Sequence, residues 1–374
     1  MTRPTAPAHR IEIVRDLTRL AEIGPAWEAL RARIGGAIFQ SHGWISAWWR
    51  TAPDRRDRGL HIALAWQGEA LQAVLPLATH RRRGLVFLEW AANSHSDYGD
   101  LLAGPDCPDA VLHDLWAALG AARGFDIALV NRLLPEARAH VLGHGGAGLR
   151  LSPNHRSEVS HRVTGWTDGR AWFEGQSKKA RQNHRRGWKF LEENGPVRFR
   201  LLDPDEDRAT VLERLAALKR KWLAAQGHVS TLFDAGAPAL AALVDVLAQA
   251  GILRLFVLEC GDKVIAVSVN FVQRDTMMAF VTTYDPDFER ASPGTLLMSE
   301  YIKWSFDQGL KVVDFLCGAE AFKTRFATEA VTLTSLAAAG SLKGRLALAA
   351  DEAQRALRAW RERQAPNGDA QAAA

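Results

Sequence analysis

The chain is poor in cysteine, with Cys107, Cys260 and Cys317 the only three in 374 residues. They lie far apart and lack the paired spacing of a metal site. An odd, sparse set argues for a reducing compartment and against a disulfide framework. Long apolar runs are also missing. No stretch approaches the roughly 18 apolar residues of a membrane span, so none is expected. The opening MTRPTAPAHR leads into no apolar core and does not read as a secretory signal. The expected location is the cytoplasm. There is no metal-ligand spacing, no Walker loop and no Gly-x-Ser-x-Gly elbow, which removes the chemistries those motifs carry.

What is present is ordinary globular material: 47% apolar and 24% charged residues, enough for one very large domain or two of usual size. Tryptophan is abundant, at thirteen. Trp44, Trp48 and Trp49 follow helical spacing and read as core ahead of a sugar platform. The net charge of +5 and pI near 9.3 point to an anionic ligand. The excess is too small to imply nucleic-acid binding, and no DNA partner is expected.

Two segments share one plan. LHIALAWQGEALQAVLPLATHRR, from Leu60, reads as strand, tight turn at Gln67-Gly68-Glu69, and strand. LRLFVLECGDKVIAVSVNFVQRD, from Leu253, repeats it with a turn at Cys260-Gly261-Asp262. Each is followed by a third strand, a polar loop, a helix (near Asp109–Ala122 and Gly294–Asp307) and a last strand. The intervals Gly68–Gly124 and Gly261–Gly309 are 56 and 48 residues, a difference one loop can absorb. Two copies of one α+β unit are expected, each a mixed sheet flanked by helices, with the last strand parallel to its predecessor. The alternative is two unrelated α/β domains. Further helices are expected over Phe173–Gly195, from Pro204 to about Gln226 with Asp203 or Asp205 as cap, over about Ala239–Ala250, and over Ser341–Arg363 before a disordered tail.

The segment YDPDFERASPGTLLMSEYIKWSFDQGLKVVDFLCG, from Tyr284, holds the most specific signal. Pro293 suits a first helical turn, Ser292 an N-cap, and Gly294 removes a Cβ where a ligand can approach the backbone. Such a start presents unpaired N–H groups and partial positive charge, which suits a phosphate or diphosphate, and Arg290 adds a cation. The loop lies at the carboxyl end of a strand, where sheet folds place ligands. The first copy's loop, ANSHSDYGDLLAGPDCPD, has no Ser-Pro-Gly, so only the second copy reads as a phosphate carrier.

Together with FQSHGWISAWWR (Phe39–Arg50) and SKKARQNHRRGWKFLEENG (Ser177–Gly195), this segment resembles the Gcn5-related N-acetyltransferases (GNAT). More narrowly, it resembles the acetyltransferase domain of cellulose- and exopolysaccharide-associated proteins, relatives of the Fem-type peptidyltransferases. The resemblance covers about Phe39 to Ala327. The usual Gln/Arg-x-x-Gly-x-Gly/Ala loop is shortened to Arg290-Ala-Ser-Pro-Gly294-Thr, and Phe322-Lys323 stands where the family commonly has Tyr-Lys. The resemblance implies two tandem GNAT-like units: a degenerate one over 1–165, an acyl-CoA-binding one over 166–340, and a terminal helix and tail over 341–374. It also implies acyl transfer from acetyl-CoA or another acyl-CoA to an amine, without a metal.

Such chemistry needs a base, oxyanion donors and a proton for the thiolate. Candidates for catalysis are Glu320, just past the last strand, Asp314, within an apolar strand, and Tyr284. Asp314 also reads as a structural ion pair with Lys323 or Arg325, Glu320 as a solvated carboxylate, and Tyr284 as a core-edge residue. Arg290, Ser292, Gly294 and Thr295 are the expected cofactor-binding residues. Asp285 and Lys323 are expected at the acceptor. Lys178, Arg181 and Arg185 recur with Lys189 at helical steps and form a basic stripe, flanked by Lys179 and Arg186. The stripe is either a solvated face or a cradle for an anionic acceptor, a nucleotide-sugar or a polyprenyl-phosphate intermediate. Asn183 and His184 lie within that helix, Arg81-Arg82-Arg83 reads as a hairpin end, and His228 is a lone loop histidine.

The leading expectation is an N-acyltransferase acting on an amino sugar or lipid-linked saccharide in envelope or exopolysaccharide synthesis. A Fem-like transfer from aminoacyl-tRNA is the alternative, disfavoured because no helical-hairpin insertion is visible. A third reading is a non-catalytic module in which the arginine-rich QRALRAWRER (Gln354–Arg363) binds a partner or cyclic-di-GMP.

Overall fold

A computed structural model describes residues 9–144, 148–225, 227, 230–233, 238–318 and 320–364. His228 and most of the expected tail lie outside the described residues. The strands are β1 (Arg10–Val14), β2 (Arg58–Gln67), β3 (Ala70–Arg82), β4 (Leu85–Trp90), β5 (Leu102–Ala103), β6 (Ile127–Leu133), β7 (Ser152–Thr164), β8 (Val197–Leu201), β9 (Leu253–Cys260), β10 (Lys263–Gln273), β11 (Thr276–Tyr284), β12 (Val312–Cys317) and β13 (Glu329–Ala339). They form one mixed sheet in the order β1-β2-β3-β4-β6-β13-β7-β12-β11-β10-β9-β8, with β5 paired to β3.

The repeat is written in the backbone. In each half, an antiparallel run ends in a helical crossover, Asp109–Ala122 or Pro293–Asp307, and the strand after it pairs parallel, β4 with β6 and β11 with β12. Left-handed residues recur at matching places: Gly68 and Gly261 in the first hairpin turns, Arg83 and Arg274 in the second, and Arg132 and Leu316 within the last strands. The halves also exchange a strand. β7 runs antiparallel to β12 of the second half, β13 returns to β6 of the first, and β7 and β13 pair with each other. The sheet is therefore continuous across residue 165.

Burial joins the halves as well. Trp27, Trp44 and Trp48 are fully enclosed in a core shared with Leu240, Leu243 and Phe271, and the His42–Thr51 helix packs on the Pro238–Gln249 helix. Trp49 belongs to the same core, so the tryptophan cluster is packing. The expected Phe173–Gly195 helix is two helices, Gly169–Gly175 and Lys178–Glu192, because the Ser177 hydroxyl caps Ala180 N–H at 3.2 Å and restarts the chain there. The next helix begins at Arg208, where Asp207, rather than Asp203 or Asp205, accepts from Ala209 N–H.

Candidate active site

β11 and β12 pair only through Thr276–Val312, Met277–Val313 and Met278–Asp314. Two irregularities then part them. β11 carries an extra residue against β10 near Phe280, since Val269 faces Val281 while Asn270 faces Ala279. β12 slips against β7 between Asp314 and Cys317, where Leu316 is left-handed at φ 59°. Bulges bend and twist a strand away from its neighbour. The result is a cavity of about 690 Å³ whose opposed walls are Ala279–Tyr284 of β11 and Phe315–Cys317 of β12. Strand edges parted in this way offer backbone N–H and C=O groups to an extended, amide-bearing ligand.

The start of the Pro293–Asp307 helix closes one end of this cavity through Ser292, Gly294 and Thr295. Ser292 occupies the N-cap position in a left-handed conformation, φ 54°, and its hydroxyl caps nothing. Its carbonyl accepts from Thr295 and Leu296 N–H at 2.9 and 3.1 Å. Pro293 has no N–H. Of the first-turn donors, the Gly294 N–H therefore has no acceptor among the described residues. Glycine is needed there for a reason the sequence does not display: a Cβ would stand 2.9 Å from Cδ1 of Tyr284.

A second cavity of about 690 Å³ lies on the other side of the same turn, between the Lys178–Glu192 helix and the Pro293–Asp307 helix. The two share Ser292, Thr295 and Arg325. The second is rimmed by Lys179, Arg186 and Arg290 and floored by Trp172, Phe173 and Phe326. Asn183 and His184 line it; Lys178, Arg181 and Arg185 do not. Lys178 and Arg185 are exposed, and Arg181 donates to the carbonyls of Glu174 and Gln176, tying off the preceding short helix. Gly187 lets the Lys178–Glu192 helix approach the turn, since a Cβ there would meet the Ala291 carbonyl oxygen at 2.6 Å. The Arg290 guanidinium stacks on Phe190 at 5.1 Å.

The first half supplies a wall of the main cavity. The loop after β4 brings in Ser94, His95, Ser96 and Asp97, and β6 brings Arg132. Trp44 holds the loop from below, its indole N–H donating to Ser96 Oγ at 3.0 Å. Arg132 clamps it from the side through the carbonyls of Asn93 and Ser96 while pairing with Glu158 at 2.9 Å. The Asp97 carboxylate accepts from Cys317 N–H at 3.2 Å, and the Cys317 thiol donates to the Asp97 carbonyl at 2.8 Å. Burial pushes the Asp97 carboxyl up to about 6, against the pull of Arg132 and Lys323. Burial also holds the Cys317 thiol protonated and lowers His95 to about 4, leaving a neutral imidazole.

Asp314 does not line the cavity. Its buried carboxylate accepts from Tyr98 OH, Ser160 Oγ and the Leu316 N–H, each at 2.8 Å, and from Arg162 Nε at 2.9 Å. Its ion-pair partner is thus Arg162 on the exchanged β7, not Lys323 or Arg325, and the knot fixes the cleft floor to the first half. Glu320 does line the cavity. It is exposed and lies 3.0 Å from Lys323 Nζ, which is buried and also donates to the Cys317 carbonyl. Tyr284 lines the cavity half-buried, and burial with the Glu289 charge raises its phenol. Asp285 is buried behind it, paired with Arg214 at 2.5 Å and capping Asp287 N–H. Lys219 reaches the cavity beside Trp222, its ammonium 4.6 Å from the ring, and burial lowers its pKa. Asp97, Arg132 and Lys219 were not singled out from the sequence. The only hint was the density of polar residues in the loop after β4. Among the described residues, no group of three or more acidic, histidine or cysteine side chains is placed to hold a metal ion.

Residues 178–324 match the family model of the acetyltransferase (GNAT) domain. No curated protein matches the chain in sequence. Among solved structures, the chain is similar to the C-terminal domain of an Agrobacterium fabrum protein named as a lysylphosphatidylglycerol synthetase, at 15% identity and TM-score 0.54, covering 88% of this chain and 95% of that one. It is similar to FemX at 9% identity and TM-score 0.52, covering 86% and 96%. It is similar to L-PGS from Bacillus licheniformis at 14% identity and TM-score 0.51, covering 89% and 96%. At these identities the likeness is one of fold: two similar halves sharing a large mixed sheet flanked by helices, the second of them matching the GNAT model. No helix among the described residues is long and apolar enough to cross a membrane.

Proposed function

We propose that the chain is an N-acyltransferase that carries an acyl-CoA, acetyl-CoA first, across the Ser292–Thr295 turn and passes the acyl group to an amine. The observation that carries this reading is the parting of β11 and β12 beside the Gly294 N–H, with the half-buried Asp97 opposite. The diphosphate lies against Gly294 N–H and the Ser292 and Thr295 hydroxyls, at the positive end of the Pro293–Asp307 helix. Arg290, Arg325, Lys179 and Arg186 surround the nucleotide end in the second cavity. The amide-bearing arm runs between the parted strands and presents its thioester to Asp97.

The amine nitrogen attacks the thioester carbonyl carbon. A new C–N bond forms, Asp97 takes a proton from the nitrogen, the C–S bond breaks, and the sulfur leaves with a proton from the Tyr284 phenol. A carboxyl near 6 is largely ionised at neutral pH and still basic enough to work. A raised phenol remains protonated and available as a donor. Lys323, steadied by Glu320, contributes charge where the acceptor enters. Trp222 and Phe322, each 39% exposed at that mouth, offer flat apolar faces. These suit the ring of an amino sugar or of a lipid-linked saccharide in envelope or exopolysaccharide synthesis, the acceptor we favour. Isothermal calorimetry with coenzyme A, followed by acetyl transfer to a panel of amino sugars, tests the reading. Absence of binding by the intact chain refutes it. Binding without transfer to any sugar amine retains the carrier and rejects the acceptor.

A further inference from the structure

The terminal helix, Leu342–Gln364, carries a face that the proposed reaction does not use. Its first turn is fixed to the body. Ser341 Oγ donates to Asp126 at 2.6 Å, and Gly344 sits so close that a Cβ would stand within 1.8 Å of the Asp126 carbonyl. Asp351 then meets His155 and Arg156 at 3.3 and 3.5 Å. These contacts turn one side of the helix inward. On the opposite side, Leu342 and Leu346 are 72% and 65% exposed, and Leu357 and Trp360 are 46% and 54% exposed. At helical spacing these four fall within an arc of roughly 60°, with exposed Ala349 and Ala353 between them.

Cations flank this stripe. Lys343 and Arg345 stand beside its first two leucines, and Arg361 beside Trp360, all exposed. The β3–β4 hairpin, with Arg81, Arg82 and Arg83 exposed at its end, abuts the helix start, where Lys343 donates to the Gly84 carbonyl. Arg82 is matched by Glu89 at 2.7 Å. We propose that this face, apolar stripe and arginine hairpin together, docks on an anionic phospholipid surface. Leucine and tryptophan enter the interfacial layer while the long cationic side chains lie among the headgroups. Charge decides against a second copy as the occupant. Lys343 and Arg361 lie five turns apart on the same flank, so antiparallel pairing of two such helices sets them against each other's like charges. An anionic surface is complementary along the flank from Lys343 to Arg361, where no acidic residue stands; the exposed Glu352 lies on the other flank, beside Arg345.

The test is flotation of the intact protein with phosphatidylcholine vesicles, with and without phosphatidylglycerol, at low and high salt. Binding is expected only with phosphatidylglycerol and is weakened by salt. Leu346→Glu or Trp360→Glu is expected to lower it more than tenfold. The pair Arg81→Ala and Arg83→Ala is expected to lower it about fivefold for each arginine removed. These side chains are exposed, so folding and coenzyme A binding should not change. The proposal is overturned by absence of binding, by equal binding to neutral vesicles, or by anionic binding that survives Leu346→Glu. It is equally overturned by a dimer in light scattering that Leu346→Glu dissolves while vesicles go unbound.

Discussion

Asp97→Asn separates a working carboxylate from a structural one because the two make opposite predictions for stability. The ordinary aspartate value is 3.8, and burial raises Asp97 to about 6. Its folded-state value thus lies above its unfolded one. The protonated form stabilises the fold fully below about pH 4, that contribution fades as pH rises through about 6, and at neutral pH an ionised carboxylate is held at a cost. The rise corresponds to about 3 kcal/mol, an upper bound because the cavity admits solvent. Asparagine keeps an acceptor for Cys317 N–H and removes the charge. The variant should be more stable than the parent at neutral pH, by up to about 3 kcal/mol, and equal to it below about pH 4. Its acyl transfer should fall between about a hundredfold and ten-thousandfold. The limb of kcat/KM that rises through pH 6 in the parent should vanish. Urea titrations at several pH values and a pH–rate profile measure both. A variant that is destabilised at neutral pH, or that keeps the acid limb, refutes the assignment of Asp97 as the base.

Other positions give further checks. Asp314→Ala strands the Arg162 charge and the donors of Tyr98 and Ser160, so it should cost about 3–5 kcal/mol in urea unfolding. A loss under about 1 kcal/mol contradicts the knot between the halves. Gly187→Ala forces a Cβ toward the Ala291 carbonyl, displacing the turn. Coenzyme A should bind about tenfold more weakly by calorimetry, and unchanged affinity contradicts placing the carrier at that turn. Glu320→Gln should alter kcat by less than about threefold while raising the acceptor KM, because the exposed carboxylate steadies Lys323. A kcat loss comparable to that of Asp97→Asn reassigns the base to Glu320.

Local signals were readable from the sequence and long-range ones were not. The hairpins at Gly68 and Gly261, both crossover helices and the parallel last strands follow from turn residues and periodicity, and they appear where those patterns place them. The Pro293 helix start was equally local. Its left-handed Ser292 was not: the Ser292 N–H closes the short helical turn before it by donating to the Glu289 carbonyl at 2.8 Å, a contact that a tripeptide does not show. The sequence showed Asp314 only as a carboxylate within an apolar strand. The bulge after Asp314 breaks the strand's alternation and brings Leu316 to the cavity wall, leaving the carboxylate on Tyr98, Ser160 and Arg162, each more than 150 residues away. Asp97 escaped notice for the same reason. It reaches Cys317 across 220 residues, and the exchange of β7 and β13 together with the shared core brings the loops together. The first copy's loop lacks Ser-Pro-Gly and shows no local phosphate signal. Its place in the fold is to face the cavity of the other copy.

The central claim is that a thioester carrier lies across the Ser292–Thr295 turn with its arm between β11 and β12. A crystal structure with coenzyme A bound tests it most directly. The account predicts diphosphate oxygens within hydrogen-bond distance of the Gly294 N–H and the sulfur at the wall formed by Asp97 and Cys317. Coenzyme A seated instead in the first half, between β4 and β6, or no coenzyme A bound at saturating concentration, contradicts it.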